Sequence, residues 1–283
     1  MLAAAGTEHR IGRQPGRELA VTIIVSVKIN DGIVLAADSA RTMSSGHVYT
    51  HANKITHLCE GLPVAAMSTG SGGIGNESVE TLMKDLRRRF AGLVPEFADW
   101  RLDAGTYTVE QVATRLRAFL FEEKAAVCEV ETNIQLRVCG YSCGRPLAEV
   151  WEVNMTQQTC PPPRCIVDEN SFGVLWDGQY EALNRLVLGL GYDIGSALVR
   201  HGISAQDAPK LQAELIKDLY ATLAVPAMPI QDAVDLARFL VETTIGFIRF
   251  AVFLPKSVGG AIGIAAITKH EGFRWVQRAE LGA

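Results

Sequence analysis

Long hydrophobic runs and an excess of positive charge are both missing from this sequence. No apolar run approaches the roughly 18 residues that a transmembrane helix needs. The strongest apolar stretch, residues 259–267, is short and rich in glycine, as expected of a buried strand. Asp and Glu (31) outnumber Lys and Arg (27), so neither nucleic acid nor an anionic membrane is favoured as a partner. Because 48% of the residues are hydrophobic and 20% are charged, a disordered chain is excluded, and we expect a soluble globular protein.

The N-terminal segment lacks the apolar region of a secretory signal. It carries Arg10, Arg13 and Arg17, and no hydrophobic run follows the start. We interpret residues 1–21 as a propeptide-like or non-native extension and residues 22–283 as one domain. In the absence of an export signal, the six cysteines are expected to be reduced thiols in a cytoplasmic protein.

Metal-binding patterns are weak. Three histidines and one cysteine lie close together in the sequence: His47, His51, His57 and Cys59. No second pair of ligands follows them at a zinc spacing, so we expect no metal site. The remaining cysteines also lack paired spacing and are interpreted as small buried hydrophobic residues.

A glycine-rich segment, residues 68–75, lies between a predicted strand and a predicted helix. Gly70, Gly72 and Gly75 fit the dinucleotide pattern G-x-G-x-x-G. That fold needs a βαβ unit, but here the helix leads into a second helix, so we expect no nicotinamide or other cofactor. Backbone N–H groups in such a loop still suit a developing oxyanion.

Hydrophobic periodicity predicts blocks of strands that alternate with blocks of helices. Residues 22–29 and 33–37 are β-branched and apolar, and Asp31 with Gly32 predicts a type I′ hairpin turn between them. The other predicted strands cover residues 54–58, 63–67, 134–138, 147–153, 261–267 and 273–276. Helices are predicted after residue 78, from Thr108, and near residues 178–190, 205–221 and 230–247. This order favours an α+β sandwich in which helices pack on antiparallel sheets.

Three polar residues stand at the ends of predicted buried strands. Thr22 opens the first strand, Asp38 closes the second, and Lys54 opens the third. A buried carboxylate needs a partner for its charge, and Lys54 is the candidate. Taken alone, the three residues favour a structural ion pair beside an ordinary strand threonine.

The spacing and context of these residues resemble the start of proteasome β-type subunits and of the bacterial proteasome-like protease HslV, members of the Ntn-hydrolase superfamily. The resemblance lies in residues 22–28 (TIIVSVK), 31–39 (DGIVLAADS) and 53–55 (NKI), where Thr22, Asp38 and Lys54 are each 16 positions apart. It is strong over residues 22–75 and weaker beyond, although residues 258–262 (VGGAI) also fit. The resemblance implies a four-layer αββα sandwich of two antiparallel sheets flanked by helices.

The resemblance also implies a mechanism. Thr22 would be the nucleophile once its α-amine is exposed, and that amine would accept the hydroxyl proton. Lys54 would lower the pKa of the amine, and Asp38 would hold Lys54 charged and in place. Gly70 N–H is the predicted oxyanion donor, with Ser68 and Thr69 as alternatives.

Three departures from the family pattern limit this expectation. Self-processing members usually carry glycine before the threonine, whereas this chain has Val21 there. The secondary serine of the family is replaced within residues 176–178, and its late aspartate falls near Pro255. Ser257 is the candidate substitute.

The function expected from the resemblance is peptide-bond cleavage inside a homo-oligomeric ring, on polypeptide substrates. Two alternatives remain open: a small-molecule amidohydrolase that uses the same Thr22, and an inactive ring that serves as a scaffold. The sequence predicts no particular unfoldase or cap.

Overall fold

The computed structural model describes residues 22–42, 47–252 and 254–279. The predicted N-terminal extension, residues 1–21, therefore lies outside the described residues. The described strands are β1 (Ile23–Ile29), β2 (Gly32–Ala37), β3 (Arg41–Thr42), β4 (Val48–Tyr49), β5 (Ile55–His57), β6 (Val64–Gly70), β7 (Gly73–Ile74), β8 (Glu77–Ser78), β9 (Ile134–Gly140), β10 (Glu149–Met155), β11 (Arg164–Val167), β12 (Gly173–Gly178), β13 (Gly263–Thr268) and β14 (Gly272–Gln277).

The helices differ in length and regularity. The α-helices are α1 (Val79–Phe90), α2 (Val109–Arg117), α3 (Glu181–Leu183), α4 (Ile194–Arg200), α5 (Ala208–Leu219) and α6 (Ile230–Phe250). π-helical turns continue two of them, Ala118–Lys124 after α2 and Asn184–Leu188 after α3. Short 3₁₀ segments cover Pro95–Trp100 and Ala125–Val127. None of the helices in the described ranges is both long and apolar enough to span a membrane.

Ten of the strands form two five-stranded antiparallel sheets. The first sheet has the order β12–β1–β2–β13–β14, and the second has the order β11–β10–β9–β6–β5. The short strands pair as β3–β4 and β7–β8. The α+β class predicted from the sequence is therefore confirmed.

A hydrophobic cluster lies between the two sheets. It joins Ile24 and Leu35 of the first sheet to Met67 and Val150 of the second, and all four side chains are fully buried. All seven residues of β1 are buried, so this strand is covered on both faces, which explains its continuous apolar run.

Two further clusters cover the outer faces of the sheets. One packs Leu82 of α1 and Leu116 of α2 against the second sheet. The other packs Leu240 and Val241 of α6 against the first sheet. This arrangement is compatible with a sandwich. All the buried residues of the three clusters lie from Ile23 onward, so a chain that begins at Thr22 contains the complete described core.

The local predictions near the first hairpin are partly wrong. Ile29 pairs with Gly32, so the loop residues are Asn30 and Asp31, and no described residue other than glycine has a positive φ. The predicted type I′ turn is therefore absent from this hairpin. Gly32 is required for another reason: a Cβ there would lie 2.4 Å from the carbonyl oxygen of Ile267 in the neighbouring strand β13.

The glycine-rich segment also differs from the prediction. Residues 68–70 belong to β6, and Gly73–Ile74 pairs with Glu77–Ser78, so the segment does not run directly into a helix. Helix α1 begins only at Val79, where the Ser78 hydroxyl accepts a hydrogen bond from Thr81 N. The predicted start of the second helix at Thr108 is confirmed, because Thr108 is the N-cap of α2 and its Oγ1 accepts from Gln111 N at 3.1 Å.

The predicted helix over residues 178–190 is shorter than expected. Strand β12 extends to Gly178, and α3 with its π-helical continuation covers only residues 181–188. The pairing of β12 with β1 takes priority here, because it places Asp177 opposite Ile24 and Gly178 opposite Ile23.

Candidate active site

Asp38 is the centre of a hydrogen-bond network at one end of the two sheets. It follows β2, and its side chain is completely buried. The oxygen Oδ1 accepts from Lys54 Nζ at 2.7 Å and from Ile23 N at 3.0 Å. The oxygen Oδ2 accepts from Ala40 N at 3.2 Å and from Gly259 N at 3.0 Å. Four donors, one of them a cation, compensate this carboxylate for its loss of water.

Lys54 brings the second sheet into the same network. It directly precedes β5, and its side chain is only 8% exposed. Burial lowers the pKa of the Lys54 ammonium and raises the pKa of Asp38, while the attraction between the two groups acts in the opposite sense on both. The predicted partnership of Asp38 and Lys54 is thus present, and it crosses from one sheet to the other.

Thr22 lies next to this pair. It precedes Ile23, whose N–H is held by Asp38, and the carbonyl oxygen of Thr22 accepts from Gln179 N at 2.7 Å. Gly178 makes this approach sterically feasible, because a Cβ there would lie 1.8 Å from Thr22 O. Its φ of +92° also favours glycine. The main chain of Thr22 is therefore fixed on both sides, by β2 and by β12.

A cavity of about 480 Å³ opens beside these residues. Thr22, Lys54 and the residues from Ser68 to Gly72 line it, together with the segment from Val48 to Asn53. Asp38 does not line the cavity, in keeping with the complete burial of its side chain. The cavity thus presents the threonine and the lysine to a ligand and keeps the carboxylate out of reach.

The direction of the Gly70 N–H follows from the strand register. Tyr141 N donates to Pro63 O and Ser71 N donates to Asn133 O, so the odd-numbered residues of β6 are the hydrogen-bonded partners of β9. Gly70 therefore points its N–H away from β9. On that side Ser68 N donates to Lys54 O, but β5 begins only at Ile55, and Gly70 N has no partner within the described ranges.

The three candidate oxyanion donors are distinguished by these bonds. The N–H of Ser68 is already used by Lys54 O, and the register turns the N–H of Thr69 towards β9. Gly70 keeps a free N–H at the wall of the cavity. This candidate donor lies at the end of β6, whereas the sequence predicts a loop that leads into a helix.

Ser257 is linked to Thr22 through hydrogen bonds to one residue, Gln179. Its hydroxyl is buried and accepts from Gln179 Nε2 at 2.9 Å, and the N–H of the same glutamine holds Thr22 O. The neighbouring Gly259 N–H binds Asp38. Pro255, where the resemblance would place a late aspartate, accepts from Ser257 N through its carbonyl oxygen.

Sequence analysis missed two residues of this region. Gln179 gave no signal because it lies in a segment predicted to be helical, and its role depends on a partner 78 positions away. Asp177, where the resemblance would place a serine, pairs with Arg137 of the second sheet.

The histidine and cysteine cluster does not assemble. His57 Nε2 lies 2.9 Å from Leu62 O, and its ring stacks on Phe273 at 4.4 Å. His51 faces the cavity, with its Nδ1 at 3.2 Å from Thr50 Oγ1. Among the described residues there is no group of three or more His, Cys, Asp or Glu side chains that could hold a metal ion.

No protein-family model matches the chain, and a search of curated proteins finds no significant match. The functional argument therefore stands on the residues and on their geometry.

Proposed function

We propose that this chain is an N-terminal-threonine hydrolase with the four-layer Ntn-hydrolase fold, and that it cleaves peptide bonds within a homo-oligomeric ring in the cytoplasm. One observation carries the proposal. Thr22, Asp38 and Lys54, each 16 positions apart in the sequence, converge at one end of the two sheets, and Thr22 and Lys54 line one cavity.

The first step of the proposed reaction is the attack of Thr22 Oγ1 on a substrate carbonyl. In the full sequence the nitrogen of Thr22 belongs to the peptide bond with Val21, so it is not a base. Once that bond is cleaved, the α-amine has an ordinary pKa near 8 and can take the hydroxyl proton. The Lys54 ammonium lowers the pKa of the amine further and so increases its neutral fraction at neutral pH.

The second requirement is stabilisation of the charge that develops on the substrate oxygen. The free N–H of Gly70 at the cavity wall supports its assignment as the donor. The tetrahedral intermediate then collapses, the protonated amine gives its proton to the leaving nitrogen, and an ester on Thr22 remains. Water, deprotonated by the same amine, releases the acid and restores Thr22.

Digestion of a peptide library by a protein that begins at Thr22 tests this function. Such a protein can be prepared behind a removable fusion partner. We expect cleavage by this protein and by Thr22→Ser, which keeps a hydroxyl, and no cleavage by Thr22→Ala. Cleavage of small amides alone would replace the peptidase by the amidohydrolase alternative, and the absence of any turnover would favour the inactive scaffold.

A further inference from the structure

Arg41 lies at the wall of the cavity, where its guanidinium packs against the glycine-rich segment. It begins β3, three residues after Asp38, and its guanidinium lies against Gly72 and Gly73. A Cβ at Gly72 would come within 2.1 Å of Arg41 Nε and 2.7 Å of Cζ, and a Cβ at Gly73 would lie 3.3 Å from Nη2. A side chain at Gly72 would displace the guanidinium, whereas a Cβ at Gly73 would first meet the main-chain oxygen of Glu77 at 2.5 Å. Gly72 therefore leaves the space that the guanidinium of Arg41 occupies.

The other charged side chains that line the cavity are neutralised by partners. Lys54 pairs with Asp38, and Glu80 pairs with Lys84, both at 2.7 Å. Within residues 22–42, 47–252 and 254–279, the guanidinium of Arg41 makes neither an ion pair nor a hydrogen bond, so its five N–H donors have no acceptor there. Among the described residues, Arg41 is therefore a positive charge without a partner in the cavity that Thr22 also lines.

We propose that Arg41 determines specificity and that the substrates are peptides with an aspartate or glutamate side chain next to the scissile amide. This inference rests on the proposed function, because it assigns a substrate class to the same cavity. A planar guanidinium binds a carboxylate through two parallel hydrogen bonds, and it repels a lysine or arginine side chain. Partial exclusion of water from the cavity strengthens both effects.

Three threonine-directed peptide electrophiles test the inference. They are identical except for the side chain next to the reactive group, which is glutamate, glutamine or lysine. The measured quantity is the rate at which Thr22 is labelled in the protein that begins at Thr22, followed by intact mass. We expect the glutamate probe to react about tenfold faster than the glutamine probe, as one charge-assisted contact predicts, and the lysine probe to be the slowest.

The variants of Arg41 are judged by the ratio of the labelling rates of two probes. Both rates are measured on the same protein, so a general loss of activity in a variant cancels out of the ratio. Arg41→Gln is expected to reduce the glutamate-to-glutamine ratio to about one, and Arg41→Glu to make the lysine probe the fastest. Gly72→Ala, which displaces the guanidinium, is expected to lower the ratio while Arg41 remains present. Arg274→Gln is the matched control, since Arg274 is 67% exposed, pairs with Glu271 and does not line the cavity. It should keep the wild-type ratio.

The outcomes separate this inference from the proposed function. Equal labelling of Thr22 by all three probes, or an unchanged preference for glutamate in Arg41→Gln, would overturn the role of Arg41 and leave the hydrolase intact. Failure of every probe to label Thr22 would overturn the hydrolase itself.

Discussion

The protein contains two buried lysines whose surroundings differ in one respect. Lys28 in β1 is 1% exposed, and its ammonium donates to the main-chain oxygens of Asp168 and Ser171. Lys54 has a side chain that is 8% exposed, and its ammonium donates to the carboxylate of Asp38. Burial lowers the pKa of both, that of Lys28 to about 8.

The comparison shows that burial alone does not mark a functional lysine. Carbonyl oxygens accept hydrogen bonds from Lys28 but supply no full counter-charge, so this lysine can lose its proton and still donate to them. Asp38 supplies that counter-charge for Lys54, and the amine of Lys54 borders the cavity beside Thr22. We therefore interpret Lys28 as structural and propose a catalytic role for Lys54.

The strongest way to break this comparison is to remove each amine in turn. In the protein that begins at Thr22, Lys54→Met should slow the labelling of Thr22 by a threonine-directed electrophile about 10²–10⁴-fold, the usual contribution of a group that assists proton transfer. Lys28→Met should leave labelling of the folded protein within about twofold, because Lys28 does not line the cavity. Intact mass against time gives the rates, and circular dichroism gives the folded fraction. Equal losses in both variants would refute the assignment.

Removal of a nearby carboxylate should lower the free energy of unfolding strongly at Lys54 and only slightly at Lys28. Asp38→Asn leaves the Lys54 ammonium buried without a carboxylate, and such broken pairs cost about 3–5 kcal/mol. The matched change Asp168→Asn keeps the carbonyl that Lys28 uses and alters a mostly exposed carboxyl group, so we expect less than about 1 kcal/mol. Urea unfolding of the two variants measures the difference. If Asp38→Asn lost as little free energy of unfolding as Asp168→Asn, the Asp38–Lys54 pair would contribute no more to stability than a surface ion pair does.

The pH dependence of the free energy of unfolding should report the lowered pKa of Lys28. Its pKa is about 8 in the folded protein and 10.5 in the unfolded chain. Between these values the unfolded chain binds a proton that the folded protein has released, so the free energy of unfolding rises with pH by up to about 1.4 kcal/mol per unit. Urea unfolding at pH 7 to 10 should show this rise relative to Lys28→Met. Parallel profiles for the two proteins would contradict the lowered pKa.

The smallest expected effect concerns the hydrogen bond between Ser257 and Gln179, which lies beside Thr22. Ser257→Ala removes the hydroxyl that accepts from Gln179 Nε2, and the loss of one such hydrogen bond costs about 0.5–1.5 kcal/mol. Ser171→Ala near Lys28 keeps the main-chain acceptor and should change stability by less than about 0.5 kcal/mol. Because Gln179 N also holds Thr22 O, Ser257→Ala should in addition slow Thr22 labelling. Unchanged labelling would limit Ser257 to a structural role.

The sequence predicted the parts of this site that are set by strand ends. Thr22, Asp38 and Lys54 flank strands whose apolar patterns are plain, and a buried carboxylate requires a cation, so the pair could be inferred before its geometry was known. The α+β class could also be predicted, because the hydrophobic periodicity shows blocks of strands that alternate with blocks of helices. The Lys28 contacts could not be inferred, because their acceptors are carbonyls in a loop about 140 positions away.

The missed residues depend on long-range contacts and on chain geometry. Gln179 acts through a main-chain N–H and through Ser257, and neither leaves a periodic signal. Arg41 gains its place from the missing side chain of Gly72, whereas the sequence analysis considered the glycine-rich segment as a dinucleotide motif, which it rejected, and as an oxyanion donor. The helix predicted over residues 178–190 gave way to β12 because cross-strand pairing with β1 outweighed local periodicity.

The central claim is that Thr22 becomes a nucleophile when its amine is free. The direct measurement is the intact mass of two proteins after reaction with one threonine-directed electrophile: the full chain, in which Val21 precedes Thr22, and the protein that begins at Thr22. We expect a single adduct on Thr22 in the second protein, none in the first, and none in the second when it carries Thr22→Ala. An unlabelled Thr22 with a free amine in folded protein, or an adduct that persists in Thr22→Ala, would contradict the account.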